Sequence, residues 1–192
     1  MVLLFRVGVF GMRWFGMCWF EMCDIGAVKF GFEQRWAAPV DAIMETYLDE
    51  GFWNGLDGFS NMAPPQLLSL ERDDAAGTAL VRLRYKVNAT LPAQAARFID
   101  PDDVAWVQET EWDLTALTAQ VRFLPVQAAG LMRASASIDV RTDGADTVRE
   151  LRGEFKVKIP LVGGRVEKAV VGDIGTNLEE EADAVAEHLG ID

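Results

Sequence analysis

The feature that most constrains this chain is a change of period at Pro160. Before it, seven runs of residues alternate apolar and polar side chains. After it, Val162, Val166, Val170, Ile174, Leu178, Ala182, Val185 and Leu189 recur at helical spacing. A period of two marks strands with one buried face, and a period near 3.6 marks an amphipathic helix. The runs are 27–36, 66–73, 78–90, 103–114, 117–125, 131–142 and 147–159. Only short turns separate most neighbours, so the order predicts an antiparallel meander. Pro39 then suits the first turn of a helix containing Ile43, Met44 and Tyr47. Gly51, Gly55 and Gly58 break the next stretch into a short helix and a loop. A helical excursion is expected at Pro92–Ile99. Seven strands with one wet face need a cover, and the stripe over 161–189 is the one long enough to supply it. The expected fold is α+β: a curved seven-stranded antiparallel sheet wrapped around a long C-terminal helix.

Charge narrows the function. The chain has 18 Lys and Arg against 30 Asp and Glu, a net charge of −12. Non-specific nucleic-acid binding rests on basic patches, so it is excluded. The acid sits on the helices. Residues 41–60 hold five acidic and no basic side chains, and residues 161–192 hold eight acidic and two basic ones. That predicts an exposed acidic helix surface, including Glu179, Glu180 and Glu181, which disfavours anionic lipid as well. No stable membrane insertion of the domain is expected.

Residues 1–26 read differently from the rest. Both cysteines, Cys18 and Cys23, lie there, and a pentad repeats from Phe10 to Asp24. A period of five fits neither helix nor strand. Arg6 and Arg13 interrupt the apolar stretch of a signal peptide, and with Glu21 they weaken a membrane span. The segment is taken as an extension outside the domain, with a membrane anchor as the open alternative. The domain is residues 27–192, and its expected location is the cytoplasm.

Nucleophilic and metal chemistry find little support. His188 is the single imidazole, placed near a helix C-terminus where it suits the dipole. A lone His with no cysteine in the domain leaves no triad and no zinc spacing. Glu109, Glu111 and Asp113 alternate on a wet face, where cross-strand pairing with Arg82, Arg84, Lys86 and Arg122 accounts for them. No cofactor is implied. Glycines in the long helix, Gly163, Gly164, Gly172 and Gly175, either let it approach the sheet or leave room for a ligand.

The domain resembles the domain-of-unknown-function family numbered 2505, a branch of the START-like (SRPBCC, helix-grip) superfamily. The likeness rests on FEQRWAAPV at 32–40, AWVQET at 105–110 and VKIPLVGGRVEK at 157–168. It implies a helix-grip fold with a cavity for a hydrophobic ligand, and it supplies no catalytic residues. Candidate lining residues on the inward faces are Gln34, Tyr85, Trp106, Gln108, Thr110 and Phe123 on the strands, with Val166, Val170 and Ile174 on the helix. Phe52, Trp53, Phe59 and Met62 are candidates for a cavity mouth. The expected partner is a small hydrophobic or lipid-like molecule. A cyclase- or dehydratase-like enzyme of the same superfamily is the alternative, and it would need a buried carboxylate. An interaction module using the acidic helices is the third reading.

Overall fold

A computed structural model describes residues 27–87, 104–127, 130–158 and 163–191. The 1–26 segment and the helix expected at Pro92–Ile99 lie outside the described residues. Ten elements follow in order: β1 (Val28–Trp36), α1 (Val40–Tyr47), α2 (Glu50–Gly55), β2 (Gln66–Asp73), β3 (Thr78–Lys86), β4 (Ala105–Asp113), β5 (Thr118–Pro125), β6 (Met132–Asp143), β7 (Asp146–Val157) and α3 (Gly163–Leu189). The strands form one antiparallel sheet in the order β1-β7-β6-β5-β4-β3-β2. β2 through β7 are a meander, and β1 closes against the last strand. This is the expected α+β architecture.

The predicted alternation sets the faces. In β3, Ala79, Val81, Leu83 and Tyr85 are buried, while Arg84 and Lys86 are exposed. Across the outer face, Arg82 bonds Glu109 at 2.9 Å, and Arg122 reaches both Glu109 at 3.0 Å and Glu111 at 2.6 Å. Glu109 and Glu111 on β4 thus sit in a cross-strand ion-pair ladder, as their spacing predicts, while Asp113 caps the following turn. These hydrogen bonds, from Arg82 first and Arg122 second, hold the Glu109 pKa below the usual glutamate value.

Two hairpins turn by the same chemistry. Asp73 Oδ1 accepts the amides of Ala75 and Ala76, and Asp113 Oδ1 accepts those of Thr115 and Ala116. Each turn then needs a left-handed residue. Gly77 fills it in the first with φ +67°, and Leu117 fills it in the second with φ +54°. Leu117 takes up that backbone strain while its side chain packs against the core.

Pro39 caps α1 from an extended conformation, one residue earlier than a first-turn position. Asp49 caps α2, its carboxylate accepting from Gly51 and Phe52. α3 lies over β1 and β7, with further contact to α1. The main core fills the end under α1, α2 and the C-terminal half of α3. A smaller cluster, centred on Phe155 and Val157, sits under its N-terminal half with Val166, Val170 and Val171.

Candidate functional site

The inner face of the sheet has two chemically distinct ends. At the sealed end, β7 carries Arg149 on the same face as Leu151 and Phe155. The residue is 4% exposed. Its Nη1 donates to Glu181 Oε1 at 2.7 Å, Gln34 Oε1 at 2.6 Å and Tyr47 Oη at 3.0 Å. The guanidinium also lies 4.5 Å from the Tyr47 ring centroid, and Tyr47 Oη donates to Glu181. Burial works to lower the Arg149 pKa, but the Tyr47 and Glu181 oxygens more than offset it, so the group stays charged. Burial pushes the Tyr47 and Tyr85 phenols well above their ordinary value.

The same end fastens α3 through its carbonyls. Gln34 Nε2 donates to Leu178 O, and Trp36 Nε1 donates to Ala182 O at 2.9 Å. At the other end of the helix, the buried Glu167 accepts the Val157 amide at 2.8 Å. The Lys158 amide points to Leu131 on the β6 side, so the Val157 amide points the opposite way, where β1 pairing has stopped at Val28–Phe155. Glu167 therefore completes the strand in place of a further β1 residue.

Sequence reasoning missed this pairing. Glu181 was expected on an exposed acidic surface; it is 7% exposed and inward. Glu179 is exposed, as expected, and the half-buried Glu180 accepts the Ser60 amide at 2.8 Å. Arg149 has the parity of Leu151, and Glu181 lies three residues after Leu178 and four before Val185. Opposite charges on two inward stripes were the available signal.

The other end of the inner face is less sealed. Trp106, Gln108 and Phe123 on β4 and β5 are half-buried, as are Met132 and Ala134 on β6 and Val166, Val170 and Ile174 on α3. Tyr85 stacks on Trp106 at 5.5 Å between centroids. Gln108 Nε2 reaches Thr110 Oγ1 at 3.5 Å, at the limit for a hydrogen bond. Of the nine candidate lining residues, Gln34, Tyr85 and Thr110 are buried, and Gln34 is taken by Arg149 and Leu178. The remaining six are half-buried; Trp106 and Phe123 pack against the main core, and Val166 and Val170 against the smaller cluster. Of the expected mouth residues, Phe59 is half-buried and pairs with Met62, which bridges to Val87 beyond the end of β3. Phe52, Trp53 and Met62 are buried in the main core, and Trp53 Nε1 donates to Tyr47 O. Aromatic packing around Tyr47 explains Phe52 and Trp53.

The helix glycines divide cleanly. A Cβ on Gly163 would lie 2.5 Å from Val157 O, and one on Gly175 would lie 2.8 Å from the Phe32 ring, so both serve close approach. Gly164 and Gly172 face open space. Two surface depressions among the described residues lie away from the inner face. One is beside His188, Asp49 and Ala42, and the other is on the outer sheet around Gly153, Ser135 and Lys29. His188 is 3.6 Å from Asp49 and edge-on to Phe52. No helix among the described residues is long and apolar enough to cross a membrane.

Comparison with known proteins fits this arrangement. The family described as "Protein of unknown function (DUF2505)" matches residues 32–189. The chain belongs to DUF2505. No curated protein matches its sequence. Among solved structures, TTHA0849 from Thermus thermophilus superposes with a TM-score of 0.60 at 17% identity, covering 84% of this chain and 99% of that one. The Zhui aromatase/cyclase from Streptomyces sp. R1128 gives 0.57 at 18%, covering 85% and 93%. CV1439 from Chromobacterium violaceum gives 0.52 at 14%, covering 82% and 96%. At such identities the likeness is one of fold. This DUF2505 chain has the START-like helix-grip fold, a seven-stranded antiparallel sheet gripping a C-terminal helix.

Proposed function

We propose that this DUF2505 protein binds a small hydrophobic molecule between α3 and the half-buried inner face of β4, β5 and β6. One observation carries the reading. At the α1 end, Trp36, Tyr47, Trp112 and Arg149 are buried; at the other end, beside the buried Tyr85, Phe155 and Val157, the inward Trp106, Phe123, Val166, Val170 and Ile174 stay half-buried. Apolar surface on two facing walls favours an apolar occupant, because covering it releases water. A START-like fold that includes an aromatase/cyclase among its neighbours supports a small-molecule role.

Native mass spectrometry of the protein purified from its source tests this. The expected result is a mass adduct that organic extraction removes. A second arm is Val170→Trp. If the region admits a ligand, the larger side chain fills it, abolishes the adduct and lowers Tm little. A close-packed region would instead lose about 1–3 kcal/mol from overpacking. No adduct in the native protein, together with a large loss for Val170→Trp, would overturn the reading.

A second reading, a cyclase- or dehydratase-like enzyme, is favoured by one specific observation. Glu167 is 2% exposed on the inner face of α3, beside Val166 in sequence and one turn from Val170, and its carboxylate meets no cation among the described residues. Glu181 is a poorer acid or base, since Arg149 and Tyr47 occupy it. Glu167→Gln keeps an acceptor for the Val157 amide and removes the acid. An enzyme would lose turnover with binding intact; a binder would lose neither affinity nor fold.

A further inference from the structure

The half-buried region carries unsatisfied polar atoms, and they are neutral. Trp106 Nε1 on β4 is sealed from solvent and has no hydrogen-bond partner among the described residues. Asn177 Oδ1 on α3 is likewise sealed and unpaired. The helix geometry places Asn177. Gly175, Leu178 and Ala182 turn toward β1, through Phe32, Gln34 and Trp36. Asn177 lies on the opposite flank, which it shares at helical spacing with Val166, Val170 and Glu181. Gln108, two residues along β4 from Trp106, has among the described residues only the marginal 3.5 Å bond to Thr110.

The charged inner-face groups point the same way. Among the described residues, Arg149 is the one inward cation; its Nη1 is matched to Glu181 at 2.7 Å, and its unpaired Nε lies at the sealed end, away from Trp106. Glu167 adds an acidic side chain beside Val166, and among the described residues it meets a backbone amide and no cation. An incoming carboxylate or phosphate would shed its water and find no unmatched cation among the described residues, with an acid nearby. A neutral carbonyl faces neither cost. Trp106 Nε1 has already lost its water in the fold, so an acceptor that reaches it gains a hydrogen bond without first stripping solvent from the donor.

We propose, resting on the hydrophobic-binding reading above, that the ligand is an uncharged and mostly apolar molecule bearing a carbonyl-type oxygen, which accepts from Trp106 Nε1. Anionic lipids and fatty-acid carboxylates are rejected by the same surface.

Three probes of matched shape test this on the full chain at pH 7: 2-acetylnaphthalene, 2-isopropylnaphthalene and 2-naphthoate. Binding is measured by isothermal titration calorimetry. The ketone should bind about ten-fold tighter than the hydrocarbon, the gain expected for one hydrogen bond to a buried donor. The naphthoate should be the weakest of the three. Trp106→Phe keeps a flat ring against Tyr85 and removes the donor, so it should bring the ketone to the hydrocarbon's affinity and leave the hydrocarbon unchanged. Naphthoate binding as tightly as the ketone would overturn the proposal, and that arm needs no variant. Equal affinities for ketone and hydrocarbon, or a preference that survives Trp106→Phe, would also overturn it while leaving the hydrophobic-binding reading in place. If none of the three binds, the hydrophobic-binding reading fails first and this proposal with it.

Discussion

At the scale of single residues, the decisive feature is the Arg149–Glu181 pair. Two ionised groups with about one-twentieth of their surface exposed are stable only because each completes the other. Gln34 and Tyr47 share the same nitrogen, so the pair also fixes β1 and α1 to β7. Removing one partner should therefore be much worse than removing both. Arg149→Met leaves Glu181 buried without a cation, and the expected loss is about 3–5 kcal/mol in urea unfolding. The double variant Arg149→Met with Glu181→Leu should recover most of it. A double variant no more stable than the single one would show that the other hydrogen bonds, not the charge balance, set the cost. These residues are hard to read from sequence for a physical reason. The apolar inward run of β7 starts at Leu151, and an arginine two residues earlier resembles a solvated strand end. Glu181 sits in an acidic triplet that reads as a wet helix face. Tertiary pairing between residues 32 positions apart overrides both local patterns.

At the scale of elements, the strands and the long helix are legible because burial imposes a strict period. A one-residue slip in β3 would turn Ala79, Val81, Leu83 and Tyr85 outward, so the alternation could mean little else. The helix glycines are ambiguous in sequence, and their roles come only from what they touch. Gly172→Ala adds a methyl into open space, so it should raise stability by up to about 1 kcal/mol through helix propensity. Gly163→Ala drives a methyl against a backbone carbonyl at 2.5 Å and should cost about 1–3 kcal/mol. Thermal melts of the two variants should move in opposite directions, and a shift in the same direction would contradict the assigned roles. The outer-face ladder makes a separate prediction in pH. Glu109 has a folded pKa below its ordinary 4.5, so its contribution is present above that value and disappears as pH falls through the lowered one. Its arginine partners are partly exposed, and solvent screening keeps the worth of the ladder small. Glu109→Gln should slightly lower the urea midpoint at pH 6, and the gap from the parent should close on acidification below the ordinary glutamate range. A gap that stays constant down to about pH 3, well under the usual glutamate pKa, would mean that the charge is not what Glu109 contributes.

Over the whole molecule, α3 is held unequally along its length. Its C-terminal half belongs to the main core, and two strand side chains bond its carbonyls, with Arg149 gripping Glu181 between them. Its N-terminal half rests on a cluster with two buried members, Phe155 and Val157, together with the Glu167 bond to the end of β7. Local opening follows buried contact density, so the two halves should differ in protection. Native-state hydrogen exchange should find the amides of residues 168–174 opening at lower free energy than those of residues 181–187. The same asymmetry places the effect of a ligand. A molecule bound against Val166, Val170 and Ile174 adds contacts where the helix has fewest, and it stabilises the folded state by mass action. Protection should then rise mainly over 168–174, and Tm should climb with the logarithm of ligand concentration once the site is saturated. The sealed end should change little, because Arg149, Glu181, Tyr47 and Gln34 are already bonded to one another before any ligand arrives. Uniform protection along α3 in the free protein, or a ligand effect centred on 181–187, would remove the link drawn between the incomplete core and the binding region.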